Sequence, residues 1–382
     1  MHDVAVVGAG PVGATLALAL ARAGLDMVVL DARAEGTAPR GERSLALSHG
    51  ARLIFERLGV WTPLASVAGA VTPIVAIDIS QARAFGHARL AAAEVGLPAL
   101  GYVVSYVALQ RTLDAALQAA GVPVAWSQSV DQVDTRTTHA SLRRTRDGEP
   151  LTARLAVVAD GNGENVTGIR RVRHDYGQVA LIADVARATP QDGVAYERFT
   201  TEGPVALLPK GTRYGLVWTM TPARAEATLA MDNAAVLAAL AAHAGPRIGT
   251  IVEVGARRTF ALLLEYAKPA ALPHVAMLGN AAQTLHPVAG QGFNMGLRDA
   301  YELARIVIDT PREDIGARAM IDRYLAQRRP DRIAGIAFTH GLTRLFGGGL
   351  PFAGWPRGVG LALFDALPLA RRAFTRAMLF GF

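Results

Sequence analysis

Two glycine-rich turns, about 270 residues apart, constrain the fold of this chain more than any other feature. The first is Gly8-Ala-Gly10-Pro-Val-Gly13. It lies between the β-branched run Val4-Ala-Val-Val7 and an Ala/Leu-rich helical stretch, Pro11 to Ala23, which Gly24 caps. Met27-Val-Val-Leu30 supplies the next strand, so the chain opens as a βαβ unit. The second turn is Pro287-x-x-Gly290-Gln291-Gly292. It follows the apolar run Val275-Ala-Met-Leu278, and a helical pattern from Gly296 to Ile308 follows it. A strand, a glycine turn and a helix N-terminus offer free backbone N–H groups to an anion or an electron-rich ring. Two such sites imply one large ligand held at both ends, so the early and late parts of the chain must meet.

The first turn carries the dinucleotide fingerprint in its required setting. Gly8 permits the tight turn, Gly10 lets backbone approach a pyrophosphate, and Gly13 lets helix and strand pack closely. Asp31 ends the second strand, 23 residues after Gly8, where a carboxylate accepts bonds from ribose hydroxyls. An acid there favours an unphosphorylated ribose and does not separate NAD from FAD. Ser48 to Leu58 and Val107 to Ala120 have helical spacing, and Val130 to Arg146 alternates up to a hairpin signal at Asp147-Gly148. Leu155-Ala-Val-Val158 is a buried strand ending at Asp160-Gly161, a pair that by itself reads as a turn. Between Gln178 and Phe260 the pattern turns to strands, interrupted by a helix from Asn233 to Ala244. Within that lobe Trp218 and Phe199 read as core residues. A last pair of helices covers Gly296 to Ile308 and Ile315 to Arg328, with Pro330 expected to stop the second.

Composition narrows the class. Of the 382 residues 51% are hydrophobic, with a mean hydropathy of +0.25, yet no apolar run reaches the roughly 18 to 20 residues of a membrane span. The N-terminus enters a strand pattern at once, so no signal peptide is expected. Without cysteine there are no disulfides, thiolate metal sites or cysteine nucleophile. No His/Asp/Glu cluster has metal-ligand spacing, and no metal is expected. The net charge of +7 is nearly all arginine, since Lys210 and Lys268 are the only lysines. After Asp331 six arginines face one acid, Asp365. A basic, aromatic, apolar tail reads either as a surface for anionic lipid or as a terminal helix with a solvated arginine face. No basic stripe interleaved with polar contacts points to nucleic acid.

With Gly8–Gly13, Asp160-Gly161 and Gly279-Asn280 in this order, the chain resembles the single-component FAD-dependent aromatic hydroxylases. Within them it resembles the ubiquinone-biosynthesis hydroxylases. That likeness rests on Arg43-Ser-Leu-Ala-Leu-Ser48, on Tyr196-Glu-Arg-Phe199 with Gly203-Pro-Val-Ala-Leu-Leu-Pro209, and on Gly279-Asn-Ala-Ala-Gln-Thr-Leu-His-Pro287 with Gly290-Gln-Gly-Phe-Asn294. The last of these is similar to the 2-polyprenyl-6-methoxyphenol hydroxylase branch. Two departures stand out. Asn280 occupies a position that is Asp in most of the wider family, which keeps a hydrogen bond for a ribityl hydroxyl but brings no charge. Asn162 to Arg170 replaces the family's usual serine shortly before an arginine, so the roles of that loop do not carry over beyond Asp160 and Gly161.

The resemblance implies an α/β fold: a discontinuous Rossmann-like FAD-binding domain (1–75, 98–175, 265–345), a β-sheet substrate lobe (76–97, 176–264) and C-terminal helices (346–382) that contact a membrane. It implies FAD held by Gly8, Gly10, Gly13, Asp31, Arg43, Arg111, Asp160, Gly161, Gly279, Asn280, Gly290, Gln291, Gly292 and Asn294, with His286 and Pro287 as catalytic candidates. NAD(P)H would visit transiently as reductant, and O2 would reach the ring of a lipophilic phenol from a flavin C4a-hydroperoxide. Other quinone-biosynthesis proteins are expected partners. The expected location is the cytoplasm, with the inner-membrane surface as a peripheral site. The residues leave two alternatives open: an FAD hydroxylase of another aromatic compound, and a non-catalytic flavoprotein subunit of a quinone-biosynthesis complex.

Overall fold

Val4 and Val6 bury on one face of the strand His2–Val7, while Ala5 and Val7 bury on the other. A strand apolar on both faces belongs inside a parallel sheet covered on both sides. The computed structural model describes residues 1–37, 43–82, 85–145, 148–189, 193–285, 290–347 and 354–381, without the side chains of 342–347 and 354, and it has this arrangement. His2–Val7 lies between Met27–Asp31 and Leu151–Val158, with Val124–Trp126 beyond the former and Val275–Met277 beyond the latter, all parallel. Early and late segments thus share one Rossmann-like sheet. Helices Pro11–Leu20, Tyr106–Ala119 and Gln291–Ile308 cover one face through Leu16, Leu109, Leu113, Leu297 and Leu303. The hairpin of Val130–Thr135 with Ala140–Arg144 covers the other through Val133 and Leu142.

A second sheet is built around the long strand Arg170–Arg187, which pairs antiparallel with Arg258–Lys268 and Arg213–Met220. Beyond these come Gly203–Lys210, Val194–Thr200, Ala76–Gln81 and His87–Ala91. One face packs on the helix Asn233–Ile248 through Leu181, Leu216, Trp218, Val236 and Leu240. The opposite face looks toward the C-terminal helices Gly354–Ala366 and Pro368–Phe380. A small sheet of Ser44–Ser48, Gly101–Ser105 and Val71–Ile74 links the two large ones.

Several sequence expectations change in detail. The late helix begins at Gln291, five residues before the apolar pattern becomes regular at Gly296, because the glycine turn is itself its first turn. The alternating stretch after Val130 is two strands rather than one, and it first reverses between Thr135 and Ala140. Asp147 lies outside the described residues. Pro330 does not stop its helix, which runs Arg318–Gly347. A proline inside a helix costs about 3 kcal/mol, and here buried ion pairs hold the helix around it. Arg328 reaches Asp299 at 2.6 Å and also bonds Asp331, which Arg298 holds at 2.8 Å. Trp218 and Phe199 are both buried, as expected, and Phe199 also lines the cavity described below.

Candidate active site

The three glycine-bearing motifs meet at the carboxyl ends of the parallel strands, where an open α/β sheet binds its ligand. Gly13 in the first helix approaches the first turn so closely that a Cβ would sit 1.9 Å from the Gly8 carbonyl oxygen. On Gly8, whose φ is +100°, a Cβ would meet the Ala159 carbonyl oxygen at 2.7 Å and Asp160 Cα at 2.9 Å, so the first turn and the Asp160-Gly161 loop touch. Asp160 folds back on its own loop, accepting the N–H groups of Asn162 and Gly163 at 3.0 and 2.9 Å. Gly163 packs against Ala281, and Gly279 packs against Val12 of the first helix and Gly296 of the late helix. Asn280 projects at the surface of this junction.

Asp31 is buried, and its carboxylate is engaged within the protein. Its oxygens accept the Ala9 N–H at 2.6 Å and the Arg33 N–H at 2.7 Å, with the Arg33 guanidinium at 3.1 Å. Arg33 also donates to the Ala9 carbonyl at 3.2 Å, and Gln110 donates to it at 2.8 Å. Sequence reading missed Arg33 and Gln110. Arg33 follows Asp31 by two positions, but Gln110 carries no motif and is recognisable only once its helix packs on the turn. Arg171 was also missed: its guanidinium bonds the carbonyls of Ala281 and Asn280 at 2.6 and 3.3 Å and so pins the third motif.

At the second turn Gly290 is left-handed (φ +59°) and has no side-chain cap. The first amides of Gln291–Ile308 therefore point outward with their dipole. Asn294 is a clasp. It accepts the Ser48 N–H at 2.8 Å and donates to the carbonyls of Ala46 and Gly290 at 3.0 and 2.8 Å. The turn is thereby fixed to the small sheet. Gln291 is buried and donates to the Met378 carbonyl at 3.4 Å, which ties the turn to the last helix. Arg43 is exposed and stacks on Tyr106, 3.8 Å from its ring centre, and Arg111 is exposed on the same helix as Tyr106. His286 and Pro287 lie outside the described residues.

From this turn a cavity of about 640 Å³ extends between the second sheet and the C-terminal helices. Its walls are Ile77, Ile79, Phe199, Leu208, Phe364 and Leu379, with Gln291 and Asn294 at the turn and Glu197 on the sheet wall. The site thus has an extended groove across three motifs and an apolar chamber at its far end.

The groove suits an extended dinucleotide such as FAD. The helix after Gly10 has no side-chain cap, a Cβ on Gly10 would find no atom within 4 Å, and both glycine turns present free amides. A family model described as "FAD binding domain" matches residues 1–337. The chain is similar to ubiquinone hydroxylase UbiL of Rhodospirillum rubrum, with 33% identity over 98% of this chain and 88% of that protein. It is 29% identical to 3-demethoxyubiquinol 3-hydroxylase of Escherichia coli over 86% of each. Its fold is similar to that of p-nitrophenol 4-monooxygenase PnpA from Pseudomonas putida DLL-E4, with a TM-score of 0.74, 14% identity and coverage of 100% and 98%. With its first 337 residues matched by one family model, and relatives of that kind aligned along nearly its whole length, this chain belongs to the FAD-binding domain family.

Proposed function

We propose that this chain is an FAD-dependent monooxygenase that hydroxylates a polyprenylated phenol ring in ubiquinone biosynthesis, using NAD(P)H and O2. The observation that carries this reading is the apolar cavity opening from the Gly290–Asn294 turn. Its volume falls within the roughly 300–1,000 Å³ of small-molecule pockets, and its walls suit a ring with an aliphatic tail.

When bound, FAD supplies the redox and oxygen chemistry. The protein's part is to bind, orient and exclude water. Gly8, Gly10, Gly13 and the following helix N-terminus would hold the pyrophosphate. Asp31, fixed by Ala9 and Arg33, would keep its remaining lone pairs for the ribose. Asp160, Gly161, Gly279 and Asn280 would flank the ribityl chain. The amides of Gln291 and Gly292 would stabilise negative charge on the ring system, and Asn294 holds that turn in place. Arg43 and Arg111, both exposed, would be candidates for phosphate contact. The apolar cavity walls keep water from the reacting ring.

The C-terminal helices would meet a lipid surface. Trp355, Leu363, Leu367 and Leu369 are exposed there beside the exposed Arg372 and Arg376. No helix among the described residues is long and apolar enough to cross a membrane.

Purified protein loaded with FAD is expected to oxidise NAD(P)H when given a prenylated phenol. Mass spectrometry should find one 18O atom from labelled O2 in the product ring. Flavin binding without ring oxygenation of any prenylated phenol would contradict the proposal.

A further inference from the structure

Glu197 lines the cavity, while the polar ends of Tyr196 and Arg198 on either side of it are engaged on the covered face. Along Val194–Thr200 successive side chains alternate between faces. Tyr196 and Arg198 face the covered side, where the Tyr196 hydroxyl accepts from Arg187 at 2.9 Å and Arg198 donates to the His243 carbonyl at 3.1 Å. Across the sheet Glu197 stands in a row of Ile79, Ala206 and Val217, from three other strands, and all four line the cavity.

Among the described residues no group hydrogen-bonds or ion-pairs with the Glu197 carboxyl. Desolvation by the apolar walls pushes it up to about 8, and its remaining exposure is to the cavity. The charged groups on adjacent elements are engaged elsewhere. Asp78 bonds His87 at 3.0 Å and lies 3.7 Å from Arg247; Lys210 pairs with Asp184 at 2.8 Å. From the helices over the cavity, Arg371 pairs with Glu94 and Asp365, His340 meets the Tyr176 hydroxyl, and Arg357 shares the cavity lining. A lone carboxyl among aliphatic side chains costs stability. Among the described residues no partner offsets that cost, and a hydrogen-bond donor entering the cavity would.

We infer that Glu197 is the catalytic base that takes the proton of the substrate's ring hydroxyl. The inference rests on the proposed hydroxylase reading. The phenolic O–H bond breaks, the proton passes to a Glu197 Oε, and the electron pair stays on the phenolate oxygen. The ring then becomes electron-rich at its ortho and para carbons, and nothing is oxidised or reduced in this step. The proton returns to solvent when product leaves. A free phenol titrates near about 10 and an ordinary glutamate near about 4.3. A carboxyl near 8 narrows that gap from about six units to about two, which makes the transfer far less uphill. Below its own pKa Glu197 is protonated and cannot act, so kcat/KM should rise as pH increases through about 8.

The test uses FAD-loaded protein with 2-prenylphenol as probe. Glu197→Gln should lower kcat by about 10²- to 10⁴-fold, abolish the rise near pH 8 and leave flavin binding unchanged. It should also remove the pH dependence of probe binding that wild type shows near pH 8, where the newly ionised carboxylate becomes able to accept the phenol O–H. Glu197→Asp should recover part of kcat and keep the pH-dependent rise, which separates base chemistry from a packing defect. An unchanged pH dependence of turnover and of probe binding in Glu197→Gln would overturn the inference and leave the hydroxylase reading standing. If wild type does not oxygenate the probe, the hydroxylase reading fails, and the pH dependence of probe binding still reports on Glu197.

Discussion

Gly10 and Gly13 sit three residues apart in one turn and should fail in different ways. A Cβ on Gly13 would lie 1.9 Å from the Gly8 carbonyl oxygen, backbone that cannot yield without moving the strand. Gly13→Ala is therefore expected to cost about 1–3 kcal/mol of stability, as overpacking does, and to abolish FAD binding. Gly10 has φ −64° and open space around its missing Cβ. Gly10→Ala should leave the apoprotein's Tm unchanged and weaken FAD binding, because that space is where the pyrophosphate would lie. Flavin fluorescence quenching with thermal melts of the apoprotein checks both, and equal Tm losses in the two variants would count against this account. These glycines were legible in the sequence because the fingerprint is local, with strand, turn, helix and acid following within 31 residues. Glu197 was not legible as a site. Its isolation depends on Ile79, Ala206 and Val217, which only the sheet register brings beside it.

At the level of elements, sequence patterns located helices and strands but not what holds them against local preference. Pro330 reads as a stop signal, and the helix Arg318–Gly347 continues through it. The reason is long-range: Arg298 and Asp299 belong to the preceding helix and meet Arg328 and Asp331 on either side of the proline. Breaking a buried ion pair by removing one partner costs about 3–5 kcal/mol. Arg328→Met should lose about that much in urea unfolding, since Asp299 and Asp331 both lose a partner. Acid should act on the same joint. Burial raises the Asp331 carboxyl, but bonds and charge from Arg298 and Arg328 outweigh it and hold the group below its ordinary value. Its contribution is therefore complete above the unfolded carboxyl pKa and is lost as pH falls through the lower folded value. Burial raises Asp299 despite Arg328, so its contribution runs the other way and fades as pH rises through its folded value. Asp331→Asn should flatten the acid-side loss of stability in pH-dependent melts. Asp299→Asn should leave it intact.

The whole molecule is arranged so that one chamber touches both the nucleotide groove and the C-terminal helices. Meeting of the chain ends was readable from two glycine turns that each needed the same ligand; the chamber was not, because its walls come from six or more separated segments. This arrangement would let the C-terminal helices meet lipid on one face without being dispensable. Phe364, Phe374 and Leu379 face the chamber, whereas Trp355 and Leu369 are 69% and 81% exposed on the same two helices. Deleting both helices would open the chamber, so point substitutions on the outer face are the cleaner test. Each large apolar side chain withdrawn from lipid forfeits about 1.5–3 kcal/mol, and each arginine near an anionic surface about 1 kcal/mol. Trp355→Glu with Leu369→Glu should therefore lower binding to phosphatidylserine-containing vesicles at least about a hundredfold. Arg372→Gln with Arg376→Gln should lower it less, and in a way that added salt mimics. Neither pair should change FAD content or turnover of a short, water-soluble prenylphenol, because none of the four residues lines the chamber. Turnover of a long-chain phenol presented in vesicles should fall in step with vesicle binding. If wild type stays in the supernatant with such vesicles, or if the double glutamate variant sediments as well as wild type, the substrate's tail must enter by a route that does not involve this face.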